Sequence, residues 1–285
     1  HMRVYKTYKC FVNNEFIRSE SGRTYKIFDQ DGNFLANVPR CTKKDLRDAV
    51  RAAKNSLKVW NSKSPYNKGQ IIYRIAEETE NRKAELIDEL KKHNVPNPTG
   101  EVQKSIDRLI HYAGWTDKYQ HILGSINPVS SSFVNYSVPE YVGVVGCLIC
   151  SNPPLLSFIT QVIPAIVAGN TVVAVISDNP LPILTFAEIL LASDLTPGVI
   201  NILTQHNNEI VEHMAKHMDI NLIDYIGSDE QLIEKILDGA SINLKRVRIQ
   251  NLSFQDIFDD DRAEGLYWIE KFVEIKTVWI PQVGG

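Results

Sequence analysis

Between residues 142 and 250 the chain switches repeatedly between two hydrophobic periods. "VGVVGCLI" is an apolar run of strand length, and "PLLSFITQVIPAIVAG" follows it with proline at its start and glycine at its end. Then come "TVVAVI", "ILTFAEILLAS", "VINILT", "NEIVEHMAKHM", "INLIDYI", "DEQLIEKILDG" and "KRVRI". Short β-branched runs without polar alternation read as strands covered on both faces, and the longer segments between them have helical length and period. The opening proline and closing glycine suit the two ends of a helix. Five strands alternating with four helices predict an α/β fold with a doubly wound, mainly parallel sheet.

The first half is organised differently. "CFVNNEFIRS" places Asn13 and Asn14 between two apolar runs, a hairpin signal. Thr42 is set to cap a helix bearing Leu46, Val50 and Ala53 on one face. Two further helices are expected over 68–91 and 101–119, separated by the turn-rich "NVPNPTG". "SSFVNYSVPEYVGVVG" alternates like a strand pair.

A formal charge of -3 over 285 residues gives no general attraction to nucleic acid or to an anionic membrane. The longest apolar stretch, 142–167, is interrupted by Ser151, Asn152, Pro153, Pro154, Gln161 and Pro164, so it does not read as a membrane span. No secretory leader is legible, and four cysteines are too few for a disulfide scaffold, which leads to a cytoplasmic expectation. Cys147 and Cys150 have a redox or metal spacing. They lie along an apolar strand, however, where their side chains would point to opposite faces, and they read as core residues.

The turn after the first parallel strand, "CSNPPLL", lacks the glycines of a dinucleotide fingerprint. In "YIGSD", Gly227 and Ser228 could let an anion approach a helix N-terminus, although an ordinary turn with Ser228 as the cap explains them equally well. His213 and His217 are four apart, and Asp259, Asp260 and Asp261 form an acidic run. Without further ligands nearby, both read as solvated surface, and no metal is expected.

Several segments, taken in order, carry a resemblance: "HYAGWTDKY", "VPEYVGVVG", "NPPLL", "IPAIVAGNTVVAV", "LTPGVINILT", "YIGS", "LKRV" and "FVEIKTVWIP". Together they resemble the aldehyde dehydrogenase superfamily, and the shorter arrangement resembles the non-catalytic C-terminal module of family-sixteen aldehyde dehydrogenases. The resemblance implies a Rossmann-like domain with N-terminal helices and a small protruding β oligomerisation element. The expected divisions are an N-terminal hairpin and helical part at 3–124, the oligomerisation hairpin at 125–141 and the Rossmann-like domain at 142–255. A linker at 256–266 would replace the catalytic lobe, and 267–285 would hold the C-terminal oligomerisation strand. In the resembling family that element docks on a neighbouring subunit's catalytic lobe.

The departures shape the functional expectation. The family's general-base glutamate falls at Gln250, whose amide takes up no proton near neutral pH. No cysteine follows Cys150. Asn152 matches the family's oxyanion donor, but Ser151 replaces the tryptophan before it. A lysine that contacts the cofactor ribose falls at Ile176, a glycine turn at Gln205 and His206, and a further glycine at Leu232. The remaining cofactor positions would be Ile149, Asn152, Gly227 and Ser228. These losses lead to the expectation of a pseudoenzyme without a cofactor, or with only weak NAD or NADP binding. It would act as a structural or regulatory partner, in a homodimer or in a complex with a complete aldehyde dehydrogenase. The alternatives are a residual NAD(P) sensor and an active oxidoreductase using Cys150.

Overall fold

The computed structural model describes residues 5–127, 129, 133–149 and 152–281. The chain opens with the hairpin β1 (Cys10–Val12) and β2 (Glu15–Ile17), turned by Asn13 and Asn14, both at positive φ. A second hairpin, β3 (Thr24–Phe28) with β4 (Phe34–Pro39), leads into α1 (Lys43–Ser62). Thr42 caps α1 in a reciprocal capping box with Asp45, as its sequence position predicts. The helix expected over 68–91 is two helices, α2 (Pro65–Asn81) and α3 (Lys83–Lys92). Arg82 leaves helical geometry between them and pairs with Glu85 and Glu188. Next come α4 (Pro98–Ala113), α5 (Tyr119–Leu123), β5 (Ser125–Asn127) and β6 (Phe133–Tyr141).

The predicted alternation follows as β7 (Val144–Ile149), α6 (Pro154–Val167), β8 (Thr171–Ile176), α7 (Pro180–Ala192) and β9 (Ile200–Thr204). It continues through α8 (Val211–Lys216), β10 (Leu222–Ile226), α9 (Glu230–Ser241) and β11 (Arg246–Gln250). The five strands lie parallel, with β7 central, and β1 and β2 extend the sheet antiparallel in the order β11-β10-β7-β8-β9-β1-β2. β7, β8, β9 and β10 are buried at every residue, which explains their unalternating composition. Apolar residues of the helical first half, such as Trp60, Ile75 and Leu109, share one core cluster with Ile163, Ile166 and Ile202 of the sheet layer.

Residues 256–266, expected as a linker, lie largely in short helices: α10 (Phe254–Phe258) and α11 (Asp260–Ala263), with α12 (Leu266–Glu270) just after. Ile257, Ala263, Trp268 and Ile269 are buried against the main core. The helices on either side of α11, α10 and α12, both pack against α6. β12 (Val273–Pro281) then runs beside β6 through nine antiparallel pairs, and β5 completes a three-stranded sheet. At the root of this arm the Asn170 side chain accepts from the amides of Val142 and Gly143 and donates to the carbonyls of Ala165 and Phe272.

Candidate functional site at the carboxyl ends of the sheet

Parallel strands direct their carboxyl ends towards one rim, where doubly wound folds bind ligands. Here that rim carries a cavity of about 420 Å³ lined by Tyr25, Ser177, Asp178, Gln205, Asp229 and Leu232, among others. Tyr25 comes from the β3–β4 hairpin and its ring lies 5.1 Å from that of His206, tilted by 41°. Burial pushes the Asp178 carboxyl above its usual range. Gln205, where a glycine turn was expected in the resembling family, is itself the organiser of its turn. Its Nε2 donates to Ser177 Oγ and Asn208 Oδ1, and its Oε1 accepts from the Ile210 amide.

The turn after β10 differs from its sequence reading. Ser228 is exposed and does not cap α9; the cap is Asp229, whose carboxylate accepts from the amides of Gln231 and Leu232. Two adjacent residues were both suitable caps, and the acidic one gains more from the positive end of the helix. Gly227 is needed for a contact within the chain. A Cβ there would lie 2.3 Å from the Tyr225 hydroxyl, which accepts from the Asp229 amide. The bare face of Gly227 is thus covered by Tyr225, and the helix terminus already holds a negative charge.

The other predicted positions spread along the rim. Ile149 and Ile176 end their strands inside the core at 1% and 0% exposure. Ile149 therefore offers a ligand its main chain at most, and its carbonyl already accepts from the Ser177 amide. Asn152 is exposed, and its Oδ1 accepts from Asn179 Nδ2. Cys150 and Ser151 lie outside the described residues. His217 Nδ1 accepts from the Asp219 amide. Among the described residues no group of three or more His, Cys, Asp or Glu is placed to hold a metal. No helix among them is long and apolar enough to cross a membrane.

Gln250, at the end of β11, accepts from Nε and Nη2 of Arg248. That arginine belongs to a buried polar cluster that the sequence reading missed. Arg248 Nε lies 3.2 Å from Oδ1 of the fully buried Asp224, and Gln161 Nε2 donates to Asp224 Oδ2 at 2.9 Å. The guanidinium is sandwiched 4.4 Å from the Trp268 ring and 4.7 Å from the Phe272 ring. The available signal was Asp224 alone inside the apolar run of β10, and an arginine of β11 at the position that the ladder sets opposite it. A second such group is Arg108, fully buried, which donates to Thr160 Oγ1 and the Ile257 carbonyl and pairs with Asp260 and Glu264. Asp260, read as part of a solvated acidic run, is thus one of its partners.

A doubly wound sheet with a polar cavity at its carboxyl rim defines a Rossmann-like α/β protein. The sequence model described as "Aldehyde dehydrogenase family" matches residues 16–251, and the chain belongs to that family. It is 29% identical over 273 residues to an aldehyde dehydrogenase of Davidiella tassiana, covering 91% of this chain and 53% of that protein. It is 32% identical over 254 residues to retinal dehydrogenase 2 of Gallus gallus, covering 85% of this chain and 48% of the relative. Among solved structures, an NAD+ complex of aldehyde dehydrogenase from Bacillus cereus superposes with a TM-score of 0.81 at 26% identity, covering 86% of this chain and 50% of that one.

The chain spans about half the length of the relatives it matches. Two expectations are corrected on these grounds. The reading of the chain as no enzyme does not stand, because its relatives bear the names of enzymes, and a missing nucleophile within half of a relative's length is not a lost activity. The expectation of no cofactor is likewise unsupported, since a solved neighbour is an NAD+ complex. The rim itself nevertheless fits a pyrophosphate poorly: Asp229 places a carboxylate on the α9 terminus, and the Leu232 side chain lines the cavity beside it.

Proposed function

We propose that this chain is an assembly component of an aldehyde dehydrogenase, docking through the β12-β6-β5 sheet on a subunit of the same family that carries the catalytic half. The observation that carries this reading is the composition of the arm. Ile126, Phe133, Ile275, Trp279 and Ile280 are each at least 40% exposed, and Trp279 packs edge-on against Phe133 at 6.5 Å. Val273, at the root of the same strand, is buried. β12 is an edge strand nine residues long, an open template for another chain, and it carries ion pairs of Glu274 with Arg246 near its root and of Lys276 with Glu140. Oxidation of an aldehyde with a nicotinamide cofactor is, on this reading, the work of the assembled whole. The short helical segment between β11 and β12 supports a likeness to the C-terminal module of family-sixteen aldehyde dehydrogenases. Among the described residues, Cys10, Cys41 and Cys147 are free and buried, which suits a cytoplasmic setting.

Light scattering on the chain alone and mixed with a complete aldehyde dehydrogenase from the same source tests the proposal. We expect a dimer mass alone and a mixed complex on mixing, with both lost in Trp279→Asp and Ile275→Asp. A monomer mass in both samples, unchanged by either substitution, would refute it. A second reading, weak dinucleotide binding at the rim, is favoured by the cavity beside Ser177 and Gln205. Calorimetric titration with NAD and NADP tests that reading separately.

A further inference from the structure

Cys10 and Cys41 lie 31 residues apart in sequence and meet in the core, with their Sγ atoms 3.3 Å apart. Cys10 is the first residue of β1, and Cys41 follows β4 just before the α1 cap. Neither belongs to the rim or to the arm. Three contacts hold them there. The Cys41 amide donates to the Thr204 carbonyl at 3.2 Å, the Thr204 hydroxyl donates to the Pro39 carbonyl, and the same hydroxyl lies 3.5 Å from Cys10 Sγ. The main chain at Pro39 and Cys41 is therefore tied to Thr204 at the end of β9 while the sulfurs face each other. A disulfide bond is about 2.05 Å long, so closing this gap takes a shift of roughly an ångström, within reach of side-chain rotation.

We propose that Cys10 and Cys41 are an oxidisable dithiol that forms a disulfide when the protein meets hydrogen peroxide. In the first step Cys10 sulfur attacks the peroxide, the O–O bond breaks, and a sulfenic acid and one water are formed. In the second the Cys41 thiol displaces the sulfenic hydroxyl as a second water and the S–S bond forms. Two electrons pass from the sulfurs to the peroxide. The two thiols are unequal in a way that suits this order. Hydrogen bonding led by that from Cys41 lowers the pKa of Cys10, and the same bond, with burial, raises that of Cys41. Cys41 retains 2% exposure and Cys10 none, so peroxide reaches the pair when the turn around residues 39–42 opens locally.

The bond would join β1 to the end of β4 and so clamp the β3–β4 hairpin to the edge of the main sheet. Tyr25 of that hairpin is one wall of the rim cavity. Oxidation therefore acts on the site from outside it, by fixing a wall that is otherwise held through non-covalent contacts.

The test is to treat the purified full chain with hydrogen peroxide, block free thiols in denaturant and map the peptides by mass spectrometry. The expected result is a Cys10–Cys41 cross-link, reversed by dithiothreitol, with Cys147 still alkylated. The oxidised protein should melt about 5 °C or more above the reduced one, because the closed loop restricts the unfolded chain. Cys41→Ala and Cys10→Ala should each abolish the shift, and Cys41→Ala should leave Cys10 free to oxidise further. Cys10 and Cys41 recovered as separate alkylated thiols after peroxide, or a link from either to another cysteine, overturns the proposal even if the variants fold poorly.

Discussion

Arg248 faces Asp224 across the parallel ladder of β11 and β10, with Nε 3.2 Å from Oδ1, and Asp224 has no exposed surface. This pair anchors the outermost parallel strand to the strand beside it. It also settles the state of Gln250, whose amide oxygen the same guanidinium binds at 2.6 Å.

Replacing Arg248 with Met should leave a buried carboxylate without its counter-charge. The expected cost is about 3–5 kcal/mol of unfolding free energy. Urea denaturation measures it, and the double variant Asp224→Asn with Arg248→Met should recover much of the loss. A single variant as stable as the parent would show that the pair contributes little.

Stability should fall with rising pH through Glu101. This residue is fully buried near the start of α6, and burial, only partly offset by the Leu155 and Leu156 amides, pushes its carboxyl up to about 8. The unfolded chain titrates this group near 4.3. Between those values the folded state keeps a proton that the unfolded state has released, so the contribution is complete below about pH 4.3 and is lost as pH rises towards 8. The slope is about 1.4 kcal/mol per pH unit in that window. Urea midpoints from pH 5 to 8 test this, and Glu101→Gln should flatten the dependence.

The short helices after β11 should detach when Arg108 is removed. Arg108→Met deletes charged hydrogen bonds to Thr160 and to the Ile257 carbonyl. The loss should be about 2–3 kcal/mol. Limited proteolysis should then cut within residues 254–266 under conditions that leave the parent intact.

Opening the α9 terminus should improve anion binding. Asp229→Ser keeps a capping oxygen and removes the resident carboxylate. Dinucleotide affinity, measured by titration calorimetry, should tighten by about tenfold or more, because one unfavourable charged contact of this size corresponds to about 1.4 kcal/mol. Equal affinity in the two proteins would mean that Asp229 is not the obstacle.

The sequence displayed the parallel sheet openly, because strands buried on both faces cannot hide their composition, as "TVVAVI" illustrates. It also displayed the Thr42 cap and the Asn13-Asn14 turn, whose rules are local. Pairings across distance were harder to see. The pairing of Arg82 with Glu188, and the burial of Ile257 and Trp268 against the main core, join segments far apart in the chain, so neither is written in its own neighbourhood. At the site, the position of Gly227 was legible but its role was not, because the Tyr225 hydroxyl covers it only once β10 has bent into the turn.

The arm draws its two longest strands from opposite ends of the folding problem. β6 is made before the first parallel strand, and β12 only after the last, yet the nine pairs between them form most of the arm. Closing so long a loop carries an entropic cost that is small only when the intervening chain has already compacted. A chain with an unfinished sheet therefore has no arm to present, and the surface that would recruit a partner also certifies that the domain behind it has folded.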